Sequence, residues 1–185
     1  MSQLPSPEPA QALTDFQEAF NRVELLIEKR YGIPVSISDV LDPNTGDFDG
    51  MSIQIDYDQD LEVALFVLIH LFGHTVQWNL WEEYRQIGLD TSPGNRSEAE
   101  LARIYLYERD ASRLSLQLLH DAGVHDLDRW VSDWWYADWE YLAHYYRTGE
   151  KLDTRALLRP GQGETLTAMP IPKFTPQRWM SRWSF

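Results

Sequence analysis

The chain has 185 residues, 43% hydrophobic and 24% charged, which suits one compact domain rather than two. Sixteen Lys and Arg against 29 Asp and Glu give a formal charge of −13, so phosphate backbones are repelled and nucleic acid is set aside as a partner. There is no cysteine, which removes disulfides, thiolate metal sites and thiol nucleophiles together and leaves His and carboxylates to bind any metal.

The longest nearly unbroken apolar run, Val63 to Phe72, is about half of the ~20 residues of a membrane span and is interrupted by His70. The start of the chain shows neither the basic nor the apolar region of a secretory signal. A cytoplasmic protein with no membrane partner is expected. Residues 1–10 hold three prolines and few large apolar groups, a composition that predicts a disordered lead before a domain over 11–158.

Thr14 and Gln17 have the spacing of a capping box, and Phe16, Phe20, Val23 and Ile27 follow at helical intervals. A helix is expected to about Tyr31, stopped by Gly32. Pro34 to Val40 and Met51 to Tyr57 alternate apolar and polar residues around a stretch, Asp42 to Gly50, dense in turn formers. The pattern predicts an antiparallel β-hairpin with a long loop. From Asp60 the period becomes helical, apolar nearly all round through Phe72 and polar only near Gln77 to Asn79, the signature of a buried helix.

Gly88 to Asn95 reads as a loop. Ser97 and Glu100 repeat the capping-box pattern at the head of a long helix that Gly123 ends, and a further helix runs from near Asp126 to Thr148. Residues 159–185 are punctuated by proline but end with Trp179, Trp183 and Phe185, too aromatic for water, so this tail is expected to pack back on the domain. The fold class is α+β: a small antiparallel sheet, a buried central helix and further long helices, with the tail closing over the site.

The informative segment is Phe66-Val-Leu-Ile-His70-Leu-Phe-Gly-His74. Two His at i and i+4 lie one above the other on a helix and can share a metal ion. Buried without partners they would cost roughly several kcal/mol. A third ligand is expected from the later helix, where Leu101, Ile104, Tyr105, Glu108, Ala111, Ser115, Leu118 and Leu119 share one face. Glu108 sits inside that stripe, whereas Asp110 falls on the side of Arg103 and Tyr107. The ligand set is therefore His70, His74 and Glu108, and the small residues Ala111, Ser112 and Ser115 let another helix come close.

A hairpin, a helix with His70 and His74, then Glu108-Arg-Asp-Ala111 on a later helix together resemble the compact zincin metallopeptidases of the ImmA/IrrE type. The resemblance covers Phe16 to Ala122 and implies a zincin-like fold and one bound divalent metal, zinc; iron(II) stands second, because two His and a carboxylate also make the facial triad of iron enzymes. It also marks a departure. In the family's HExxH motif the residue after the first His is a Glu that serves as the catalytic base, and here that residue is Leu71.

Four readings stay open: a metal-dependent enzyme without the standard Glu-assisted peptide hydrolysis, an iron(II) enzyme of the facial-triad oxygenase kind, a peptidase with a substitute base, and a silent relative that binds a peptide or protein. The aromatic helix from Trp130 to Tyr146 offers Asp138, Tyr141 and His144 as candidate catalytic groups. Its rings can cover the core or wall a pocket for a small-molecule or peptide ligand, and their number admits a homodimer. In the zincin reading an extended substrate would lie along an exposed edge formed by Met51 to Tyr57. The Asp42 to Gly50 stretch is a turn rather than a calcium loop, because Gly46 stands where an oxygen ligand belongs and position 12 is Ile53. His120 and His125 flank a helix end, where positive charge suits the dipole.

Overall fold

A computed structural model describes residues 14–41, 44–90 and 92–180. The lead at 1–10 and the final residues of the tail, Trp183 and Phe185 among them, lie outside the described residues. Helix α1 (Phe16–Leu26) continues through a π-helical turn (Ile27–Tyr31) and stops at Gly32 in the left-handed region. Its N-cap is Asp15, which accepts from the backbone N–H of Gln17 and Glu18, while Thr14 is bound instead to Asp126. The aspartate takes the cap because its carboxylate reaches two free helix N–H groups at once.

Three strands follow: β1 (Val35–Ser38), β2 (Gly46–Phe48) and β3 (Ile53–Asp56), in the order β1-β3-β2. The expected antiparallel pairing of the two alternating segments does not occur. β1 runs parallel to β3, and the sheet is mixed. The turn-rich stretch contains the missing strand: Gly46–Phe48 pairs antiparallel with β3 through a tight turn at Asp49 and Gly50. The Asp49 carboxylate accepts from the N–H of Met51 and Ser52, and Gly50 has φ +87°, so local turn chemistry closes this hairpin before β1 is needed. β3 is consequently the centre of the sheet, not its edge, and β2 is an edge strand.

Helix α2 (Leu61–Leu80) runs through the middle of the molecule, packed against the sheet, α1, α3 (Glu82–Leu89) and above all α4 (Glu98–Asp121). It is the one helix among the described residues long and apolar enough to cross a membrane, but most of it is buried in the protein's own core. Trp81, extended at φ −132°, breaks α2 from α3, a helix that the sequence pattern does not mark and whose last two residues, Gly88 and Leu89, fall in the expected loop. Ser97 and Glu100 form the capping box of α4 as expected. Helix α5 (Asp128–Thr148) is tied to the start of α2 where the indoles of Trp130 and Trp134 both donate to Glu62, at 2.9 and 3.1 Å.

The tail returns to the body. Leu166, Met169, Ile171, Phe174 and Trp179 pack on the core, and Phe174 stacks on Tyr31 at 5.5 Å. Its described residues, 159–180, run over α5, α4 and the end of α2.

Candidate metal centre

α2 and α4 can approach closely because residue 73 is glycine: a Cβ there would collide with the backbone carbonyl of Ala111. The hydroxyl of Ser115 closes the same seam by donating to the carbonyl of Ile69, at 2.8 Å. Gly73 lies between His70 and His74 in sequence, and Ala111 is one turn beyond Glu108, so this contact brings the three side chains together.

The Nε2 atoms of His70 and His74 are 2.9 Å apart, and Glu108 Oε2 lies 3.3 Å from the first and 3.1 Å from the second. Among the described residues these are the one group of three His or acidic side chains converging closely enough to hold an ion. Their side chains are 13%, 5% and 5% exposed for His70, His74 and Glu108. Ligand atoms about 2.0–2.1 Å from a tetrahedral zinc stand about 3.3 Å from one another, which the observed triangle approaches.

The tautomer of His74 follows from its neighbours. Gln77 Nε2 donates to the carbonyl of Tyr107 at 2.8 Å, which fixes the amide and leaves Oε1 as an acceptor 2.9 Å from His74 Nδ1. His74 therefore carries a proton on Nδ1, which in the neutral ring leaves Nε2 as the lone pair facing Glu108. The Nε2–H of His70, 2.9 Å from that lone pair and 3.3 Å from the carboxylate, can satisfy it in the metal-free protein, and a metal ion among the three atoms would take that proton's place. Burial opposes the charge on Glu108, yet the two adjacent imidazoles hold its carboxyl well below the usual range.

Aromatic rings pin both imidazoles. His74 is sandwiched between Phe48 of β2 at 6.0 Å and Tyr107 of α4 at 4.4 Å, and Phe66 stacks on His70 at 5.5 Å and on Trp134 at 5.1 Å. Gln77 and Tyr107 are the site residues the sequence reading missed. Helical periodicity places Tyr107 on the side of Asp110 and Arg103, but it is 1% exposed, because α3 covers that face and Trp78 donates to its hydroxyl at 3.0 Å. Gln77, three residues after His74 on a buried helix, was the available signal.

Beside the site lies a groove of about 730 Å³, walled by β2 on one side and by Asp138, Tyr141 and Tyr145 of α5 on the other, with Leu71 among its lining residues. Leu71 and Val67 lie against Gly46 of β2. Lys151, Leu152 and Thr154 line this groove from the segment after α5. Burial pushes the Asp138 carboxyl up to about 6; the Glu108 carboxylate adds to the rise and His70 offsets part of it. Asp138 thus lies outside the three-residue cluster but within reach of its charges. Tyr141 shares the groove, and burial raises its phenol. His144 does not: it lines a separate cavity of about 620 Å³ with Tyr136, Trp139 and Arg159. Asp110 accepts from Tyr84 and pairs with Arg109 and Arg113, and His120 pairs with Asp128.

Fold and site together define an α+β protein with a mixed three-stranded sheet, five α-helices and a buried His/His/Glu cluster among its described residues. Comparison with protein-family models, with curated proteins and with solved structures gives no match.

Proposed function

We propose that the chain is a metal-dependent hydrolytic enzyme on a zincin-like scaffold, with His70, His74 and Glu108 as ligands and Asp138 as the proton-transfer group. The observation that carries this reading is the convergence of His74 Nε2, His70 Nε2 and the Glu108 carboxylate, with Gln77 oriented to accept from His74 Nδ1. A divalent ion held there supplies Lewis acidity toward an oxygen-bearing substrate group. Zinc suits two imidazoles and a carboxylate, and iron(II) accepts the same donors.

The chain's own groups divide the remaining work. Leu71 cannot accept a proton. Asp138 projects from α5 into the same groove, and a carboxyl near 6 takes a proton at neutral pH and returns it to a leaving group efficiently. The Tyr141 hydroxyl is placed to donate to a bound substrate along the same wall. Apolar and aromatic neighbours such as Leu71, Leu142 and Tyr145 exclude water and favour a peptide or small molecule with hydrophobic groups.

The test is elemental mass spectrometry of untagged protein purified without chelators, with His74→Ala beside it. Near-stoichiometric zinc, absent from the variant, is expected. Hydrolysis of a fluorogenic peptide and ester panel that Asp138→Asn abolishes while metal content is unchanged would support the assignment of the base. Absence of metal from the wild type overturns the reading, and iron in place of zinc moves the chemistry to oxygen-dependent reactions.

A further inference from the structure

β2 is three residues long, an edge strand, and one wall of the groove. So short a ladder is a weak anchor, yet β2 carries Phe48, which is 4% exposed and stacks on His74 with the rings within 15° of parallel. Leu71, Val67 and Trp78 of α2 lie against the strand, and further support comes from the far end of the chain. The backbone N–H of Trp179 donates to the carbonyl of Asp49, next to Phe48, at 2.6 Å, and Arg178 pairs with the Asp49 carboxylate at 2.9 Å. The indole of Trp179 fills the space over Gly50 that any Cβ would occupy, and the Arg85 guanidinium covers that indole at 3.7 Å.

Asn79 knots these pieces to the ligand helix. Its amide nitrogen donates to the carbonyls of Gly50 and Thr75, at 2.8 and 2.9 Å, and its oxygen accepts from the backbone N–H of Gln177 at 2.8 Å. One side chain of α2 therefore holds the turn and the tail together, one residue after Trp78, whose ring packs on Phe48 at 4.5 Å.

We infer that Gln177 to Trp179 form a latch that positions His74 through the Asp49–Gly50 turn and Phe48, so that release of the tail and loosening of the metal centre are one event. Trp179 and Asn79 are positioning residues for a ligand they do not touch. The part of this inference that concerns metal retention rests on the proposed metal reading; the part that concerns the His74 ring does not.

The test uses the full chain with Trp179→Ala and Trp179→Phe, and Ser132→Ala as a control that loosens the tail at its upstream contact with the Leu166 N–H. The first readout is the nuclear magnetic resonance signals of the His74 imidazole, which feel the ring currents of Phe48 and Tyr107. The second is the rate at which zinc-loaded protein yields zinc to excess chelator. Trp179→Ala is expected to shift the His74 signals, leave those of His120 and His125 in place, and speed zinc loss by about tenfold, in the range of outer-shell substitutions. Trp179→Phe, which keeps a ring beneath Arg85, should restore most of both, and Ser132→Ala should match the wild type. Unmoved His74 signals overturn the latch, and so does a shift with unaltered zinc loss. A wild type that retains no zinc refutes the metal reading instead, and the His74 signals then decide the latch alone.

Discussion

Replacing Gln77 with Ala probes the chemistry of the centre without touching a ligand. In the wild type His74 Nδ1 donates to Gln77 Oε1 at 2.9 Å inside a fully buried environment, and Gln77 is itself fixed by its bond to the Tyr107 carbonyl. The Tyr107 carbonyl keeps its place in the α4 helix, so the lasting cost falls on Nδ1, an orphaned buried donor worth about 1–3 kcal/mol. The ring can escape that cost by moving its proton to Nε2 and donating to Glu108 Oε2, 3.1 Å away. The escape removes the lone pair that a metal needs. Zinc affinity should therefore fall about 10–100-fold, measured by competition with a chromophoric chelator, while the metal-free protein, whose ring can make that shift, loses less in denaturant titration than the orphaned donor's cost of about 1–3 kcal/mol. Affinity within twofold of the wild type would refute the argument that Gln77 dictates the tautomer.

Gly73→Ala must part α2 from α4 at the Ala111 carbonyl, and overpacking of this kind is expected to cost about 1–3 kcal/mol in denaturant titration together with most of the metal content. Glu108→Gln keeps the shape but removes the charge that the two imidazoles face, and should lower bound zinc to the level of His70→Ala in elemental analysis. Asp138 gives a pH signature in metal-free protein. Its carboxyl is raised above the unfolded value, so its neutral form stabilises the fold fully below about 3.8 and this contribution is lost as pH rises through about 6. A rise of that size is worth at most about 3 kcal/mol; Asp138→Asn should therefore melt higher than the wild type at pH 8 and level with it at pH 4, and equal melting at both would contradict the burial of this group. Leu71→Glu places a carboxylate against Val67 and Gly46, and in an Asp138→Asn background it should restore part of the hydrolysis lost from the peptide and ester panel.

The convergence of His70, His74 and Glu108 was legible in the sequence because a helix buried all round has nowhere to hide two imidazoles, and because Glu108 interrupts an apolar stripe. Asp138 and Tyr141 could be singled out as candidates on the aromatic helix, but not separated from His144, since only the packing of α5 decides which of its faces meets the groove. The error at Tyr107 has a traceable origin. Placing it on the solvent side assumed that α4 buries a single stripe, whereas α3 covers a second one. α3 itself was hidden by the extended backbone at Trp81, which gives it no periodic continuity with α2. Alternation along β1 and β3 revealed strands but not their partners, and Asp49, Gly50 and their neighbours masked the three residues of β2 by being so rich in turn formers.

The strand order β1-β3-β2 also imposes a sequence of events on the folding chain. Gly46 and Ile55 are joined through one local turn, so the β2–β3 hairpin closes a short loop and can form early, on the microsecond scale of isolated hairpins. β1 has no neighbour until β3 exists, and its parallel partners Val35 and Ile53 are separated by the whole hairpin-forming stretch. Its docking must then bear the larger entropy of a longer closure. A chain emerging from the ribosome therefore exposes β1 before the other strands and pairs it last, and Ile37 on β1 stays 54% exposed even in the finished fold.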